Sequence, residues 1–124
     1  MANTIDWVEL RVPNARDVVR FYKRVFGWRV VEEMSVQNSP VVILDTGASP
    51  SEDDRRRLGI WQRQGVRPRA AVYVTVSSLT KTLELIVQEG GQITVPVTDW
   101  GFGLMAEFQD PAGTSLCLFQ AKPR

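Results

Sequence analysis

The sequence predicts an α+β fold made of two βαβββ modules within a single domain spanning residues 1–124. Three observations point there. Short alternating segments read as strands, two apolar stripes at helical spacing read as one helix per module, and the second half repeats the order of the first. The modules run about 5–64 and 70–121.

Residues 5–12 open the first module. Val8, Leu10 and Val12 share one face and Trp7, Glu9 and Arg11 the other, the period-2 signature of a strand. Pro13-Asn14 ends it, and the Asn14 side chain can accept an unpaired N–H of a following helix. In that helix Val18, Phe21, Tyr22 and Val25 recur as a predicted core stripe, and Gly27 stops it. Trp28 to Ser35 and Val41 to Asp45 read as strands around a Gln37-Asn38-Ser39-Pro40 turn. Ala48 to Arg57 is a charged loop, and Leu58 to Arg63 a further strand.

The second module repeats this order. Ala71 to Val76 alternates, Ser77-Ser78 can cap, and a helix runs from about Leu79 to Glu89 on a Leu79, Leu83, Ile86 and Val87 stripe. Gly90-Gly91 ends it. Strands follow near Gln92–Val97, Phe102–Gln109 and Ser115–Gln120, with Asp110-Pro111-Ala112-Gly113 as a turn. Adding 64 carries Val8 to Val72, Leu10 to Val74, Val12 to Val76, Asn14 to Ser78 and Gly27 to Gly91. One helix per four strands leaves each module with one sheet face covered and one bare. Two bare faces side by side would enclose a cleft.

Composition narrows the function. Fifteen basic residues against fourteen acidic leave a net charge of +1, which argues against a nucleic-acid partner. There is no histidine, the commonest metal ligand and neutral-pH base, so a His-based triad or a zinc protease helix is excluded. The single cysteine, Cys117, rules out an intramolecular disulfide and fits a reducing, cytoplasmic setting. The N-terminus does not read as a signal peptide, and no apolar run approaches a membrane span.

Two stretches carry a family resemblance. Trp7-Val8-Glu9-Leu10-Arg11-Val12-Pro13 followed by Arg20-Phe21-Tyr22-Lys23-Arg24-Val25-Phe26-Gly27-Trp28 resembles the first unit of the vicinal oxygen chelate superfamily. That group includes the glyoxalase, bleomycin-resistance and extradiol-dioxygenase families. Gly90-Gly91, Pro96, and Phe108-Gln109-Asp110-Pro111-Ala112-Gly113-Thr114 leading into Leu116-Cys117-Leu118 resemble its second unit. The resemblance implies paired modules in a cupped mixed sheet, commonly a homodimer, and in many members a divalent metal that stabilises a substrate oxyanion.

The same resemblance places the usual metal ligands on this sequence. The first-strand ligand falls at Trp7, the opening ligand of the second unit at Ala71, and the last-strand glutamate at Cys117. The fourth lies near Ile60 to Gln62, where the register is open. Trp7 and Ala71 offer a cation no donor, so no metal and no cofactor is expected. Glu9 shares the Trp7 face and is the candidate polar anchor or proton shuttle, or else a structural carboxylate paired with Arg11. Trp7, Trp61, Tyr73 and Trp100 are candidate aromatic walls, or packing residues, with Trp61 dependent on the open register. Cys117 reads as a buried small hydrophobe and Trp28 as a core or dimer contact. The loop with Glu52, Asp53, Asp54, Arg55, Arg56 and Arg57 is a surface turn or a gate to the cleft.

The first expectation is a metal-free small-molecule-binding protein of the glyoxalase and bleomycin-resistance type, its ligand in an aromatic-lined cleft with Glu9 as anchor. The alternatives are a lyase or isomerase in which Glu9 moves a proton without metal, and an interaction domain whose cleft is filled. The expected partners are an unidentified small molecule and a second copy of the chain, with no nucleic acid and no membrane.

Overall fold

A computed structural model describes residues 3–47, 49, 52–53 and 56–122. Eight strands and two helices follow in the order β1 (Thr4–Val12), α1 (Ala15–Phe26), β2 (Arg29–Val36), β3 (Ser39–Asp45), β4 (Arg57–Gln62), β5 (Arg69–Thr75), α2 (Leu79–Gln88), β6 (Gln92–Asp99), β7 (Gly103–Gln109) and β8 (Ser115–Ala121). The fold is α+β, with two βαβββ repeats. By contact the chain resolves into two compact units: Trp7–Ala71, and Val72–Arg124 together with Met1–Asp6. No helix among the described residues is long and apolar enough to cross a membrane.

In the first unit the strand order is β2-β3-β4-β1, with β1 and β4 parallel and the other pairs antiparallel. Register sorts the side chains into two faces. Leu10, Ile60 and Val42 are partners across β1, β4 and β3, and they pack with Val12, Leu44, Ala15 and Val19 into a core beneath α1. The next row pairs Glu9, Gly59 and Ile43, and the following one Arg11, Trp61 and Val41, all on the face away from the helix.

Asn14 caps α1, its Oδ1 accepting from the Asp17 N–H at 3.2 Å, and Gly27 ends it in the left-handed region at φ 72°. We expect Asn14→Ala to lower stability by about 1 kcal/mol in urea denaturation, the common value for a lost cap. A second tie comes from β4, where the Gln62 Oε1 accepts from the Ala15 N–H at 3.0 Å. The apolar stripe predicted for α1 needs correction. Ala15 and Val19 are the buried positions, with Val18 and Tyr22 half-buried beside them, whereas Phe21 and Val25 stand exposed. Helical spacing admits both stripes, and the sheet selected the narrower, smaller-residue one because it lies closer to β3 and β4. Tyr22, Phe26 and Trp28 stack on one another at the end of the helix, so Trp28 is held by aromatic packing against the core.

The second unit follows the same plan in the order β5-β8-β7-β6, with β5 and β8 parallel. Val74, Leu118 and Ala106 are register partners and join Val76, Leu79 and Leu83 in its core beneath α2. Ser78 caps α2, accepting from the Lys81 N–H, and Gln120 Oε1 accepts from the Leu79 N–H at 2.7 Å. Gln62 and Gln120 thus do the same work in the two modules, each reaching from its last-repeat strand to a helix start. Ile86 joins the core as expected, but Val87 is exposed.

Two loop expectations change. Ser39 and Pro40 belong to β3, leaving Gln37 and Asn38 as a two-residue turn with φ 51° and 63°. Asp54 and Arg55 of the charged loop lie outside the described residues. Arg56 is tied to the buried Asp45 at 3.6 Å and donates to the Ser49 carbonyl, and Arg57 already belongs to β4. Asp110 organises the last turn as expected, its Oδ1 accepting from the Ala112 and Thr114 N–H groups.

Candidate functional site

Alternation along β1 puts Trp7, Glu9 and Arg11 on one face, and they form a chain of polar contacts. Trp7 Nε1–H donates to Glu9 Oε1 at 3.0 Å, and Arg11 Nε–H donates to Glu9 Oε2 at 3.0 Å. Glu9 is 5% exposed, so its charge is held by a hydrogen-bonded cation rather than by water.

The open register of β4 is resolved by its pairing with β1. Trp61 is opposite Arg11 and faces the same way as Glu9, while Ile60 points into the core beneath α1. Trp61 is 3% exposed and carries the Arg11 guanidinium 5.3 Å and the Arg63 guanidinium 4.4 Å from its ring centre. Gly59 explains how Trp7 fits beside them. A Cβ built on Gly59 would lie 2.4 Å from Trp7 Cζ2, so the indole occupies the space a side chain would fill. We expect Gly59→Val to cost about 1–3 kcal/mol through overpacking, with a shifted tryptophan emission reporting displacement of the indole.

Tyr73 and Trp100 come together in the second unit, their ring centroids 6.2 Å apart and tilted by 56°. Trp100 continues into Phe102 at 6.1 Å, and Phe102 into Phe119 at 5.9 Å. The turn that presents Trp100 is held by Asp99, which accepts from Lys122 Nζ at 2.6 Å and from the Gly101 N–H at 2.7 Å. These two hydrogen bonds, that from Lys122 first, hold the Asp99 carboxyl below the usual range.

Another buried carboxylate, on the face away from the helix, was missed in the sequence. Glu107 on β7 is 7% exposed and lies in register with Cys117, itself in register with Tyr73, on the face away from α2. Its Oε1 accepts from the Cys117 thiol and its Oε2 from the Thr94 hydroxyl, both at 3.5 Å. The alternation that placed Glu9 would have placed it too: Leu104, Ala106 and Phe108 face the helix, so Met105 and Glu107 do not. Cys117 is buried as expected, and its neighbour is a carboxylate rather than an apolar wall alone.

The donors at the metal positions do not suit a divalent cation. Trp7 offers an indole N–H that already donates to Glu9, Ala71 offers a methyl group, and Cys117 offers a thiol turned to Glu107. β4 contributes Gly59 and Trp61 on the relevant face. Among the described residues no group of three or more His, Cys, Asp or Glu side chains converges.

The sequence profile of the Glyoxalase/Bleomycin resistance protein/Dioxygenase superfamily matches residues 4–118. The chain belongs to that superfamily. A protein named CFP32 and described as a candidate glyoxylase, from Mycobacterium bovis and Mycobacterium tuberculosis, is 26% identical over 119 residues. The match covers 95% of this chain and 46% of CFP32, so the chain spans less than half the length of these curated relatives. Among solved structures, the Bacillus halodurans C-125 protein BH1468 superposes with a TM-score of 0.71 at 14% identity, covering 100% of this chain and 98% of that one. Methylmalonyl-CoA epimerase from Mycobacterium tuberculosis gives 0.66 at 14% identity, covering 96% and 88%. At such identity these likenesses establish the superfamily fold and nothing about the reaction.

Proposed function

We propose that this superfamily member binds a small molecule without the superfamily's metal, using Glu9 as its polar anchor and aromatic rings as its apolar surface. The observation that carries the reading is the buried Glu9 carboxylate, fixed by Trp7 and Arg11 at 3.0 Å each. A carboxylate held in one orientation in this way meets a ligand hydroxyl or amide without the cost of first ordering its own side chain. Trp7 and Trp61, on the Glu9 face of the same unit, supply stiff ring surface suited to a planar or apolar compound. A second copy of the chain is the proposed partner, checked by light scattering.

A proton-transfer enzyme of the lyase or isomerase kind is the second reading, and the buried position of Glu9 favours it. A single positioned acid or base contributes about 10²–10⁴-fold. The two readings share a test. Tryptophan emission titrated with planar and apolar compounds should quench saturably for at least one of them, and Glu9→Gln should weaken that binding while circular dichroism stays unchanged. Turnover of the bound compound that Glu9→Gln abolishes would select the enzyme. Soaking in nickel, zinc or manganese followed by elemental analysis should leave the protein substoichiometric in metal. One tightly held ion per chain would overturn the proposal.

A further inference from the structure

We propose that the groove between α1 and the β2–β3 hairpin is a second binding site, for a small soluble amphiphile with an oxyanion head and a short hydrocarbon tail. The groove lies wholly within the first unit, on the helix-covered side of its sheet, and has a volume of about 480 Å³. That is the size of an ordinary small-molecule site, which runs from about 300 to 1,000 Å³.

One wall is basic. Arg16, Arg20, Lys23 and Arg24 follow one another along α1 at steps of four, three and one, so they form a single stripe beside the buried Ala15–Val19 edge. Arg16 and Arg20, and again Arg20 and Arg24, are like charges at i and i+4, a spacing at which they repel. Among the described residues none of the four makes an ion pair with an acid. Among the described residues Glu33 on β2 is the one acidic residue in the lining, which there carries four positive charges against one negative. An anion placed along this wall would relieve the repulsion and gain hydrogen bonds to charged donors, the stronger kind.

The floor is apolar. Val19 and Val42 line it, each 9% exposed, and Val30 and Pro40 form the opposite rim. A head group on the arginines therefore leaves its tail over the valines. Because these valines are recessed below charged side chains, a single chain can reach them and a flat bilayer surface cannot.

The test uses octyl phosphate as probe, with inorganic phosphate and octanol as its two halves, followed by isothermal titration calorimetry on the intact chain. Octyl phosphate should bind one to one, at least about tenfold tighter than either half, and should weaken as salt is raised. The exposed double variant Arg20→Gln/Arg24→Gln should lose at least about tenfold in affinity with its thermal midpoint unchanged. Equal binding by this variant, binding of inorganic phosphate as tight as that of octyl phosphate, or no binding at all would overturn the proposal. So would a preference for anionic vesicles over the monomeric probe.

Discussion

Replacing Glu9 by alanine should remove about 3–5 kcal/mol of stability, the common loss when one partner of a buried ion pair is deleted. The loss exceeds that of a contact because of what remains. Arg11, whose side chain is 11% exposed, keeps its charge with its carboxylate gone, and the Trp7 indole N–H loses the acceptor 3.0 Å away. Against a total of about 5–15 kcal/mol for a domain, this is a large fraction. The urea midpoint of Glu9→Ala against the parent chain measures it. The double variant Glu9→Leu/Arg11→Met separates the pair's net worth from the cost of orphaning a charge. It should recover part of the loss, because an apolar replacement of both charged partners is often neutral or better while the Trp7 N–H still lacks its acceptor. If Glu9→Ala and the double variant are equally unstable, burial rather than pairing governs this position.

The second large effect is expected at Ile60. Its side chain is fully buried, with Leu10 and Val42 as its neighbours in register and α1 above. Ile60→Ala should cost about 2–5 kcal/mol, the lost transfer energy plus that of a cavity between two strands that cannot close up. The same denaturation series reads it, and the conservative Ile60→Val should cost about 0.5–1.5 kcal/mol. Trp61, one residue on, faces the other way. A change there should instead disturb the Arg11 and Arg63 packing and leave the helix-side core intact.

How much of this was legible in the sequence follows from which signals are periodic. Strand alternation is strict, so Glu9 and Leu10 could be assigned to opposite faces from the letters alone, and the structure bears this out. Caps and stops are local chemistry, and Asn14, Gly27 and Ser78 do what their side chains or missing Cβ suit them for. Helix stripes are less decisive. Phe21 and Val25 fit a 3.6-residue period as well as Ala15 and Val19 do, and only the neighbouring sheet chooses between them. The register of β4 against β1 was beyond reach, since a charged loop of uncertain length precedes it and nothing local says whether Ile60 or Trp61 turns inward. Glu107 was legible and overlooked. Its partners Cys117 and Thr94 come from two other strands, and no spacing along the chain signals that meeting.

The Gln37–Asn38 turn reaches further than its size suggests. Both residues take a left-handed backbone in a two-residue connection, and Val36 is thereby matched to Ser39. The pairings of β2 with β3 that follow are counted from that match: Ser35 beside Pro40, Met34 beside Val41, Glu33 beside Val42. An insertion of one residue at the tip would shift that count by one and turn the exposed edge strand β2 over, because β3 is held by β4 and by Val42 and Leu44 in the core. The hairpin tip is thus the ruler from which the β2 wall of the α1 groove, Val30 and Glu33, is measured, although it touches neither.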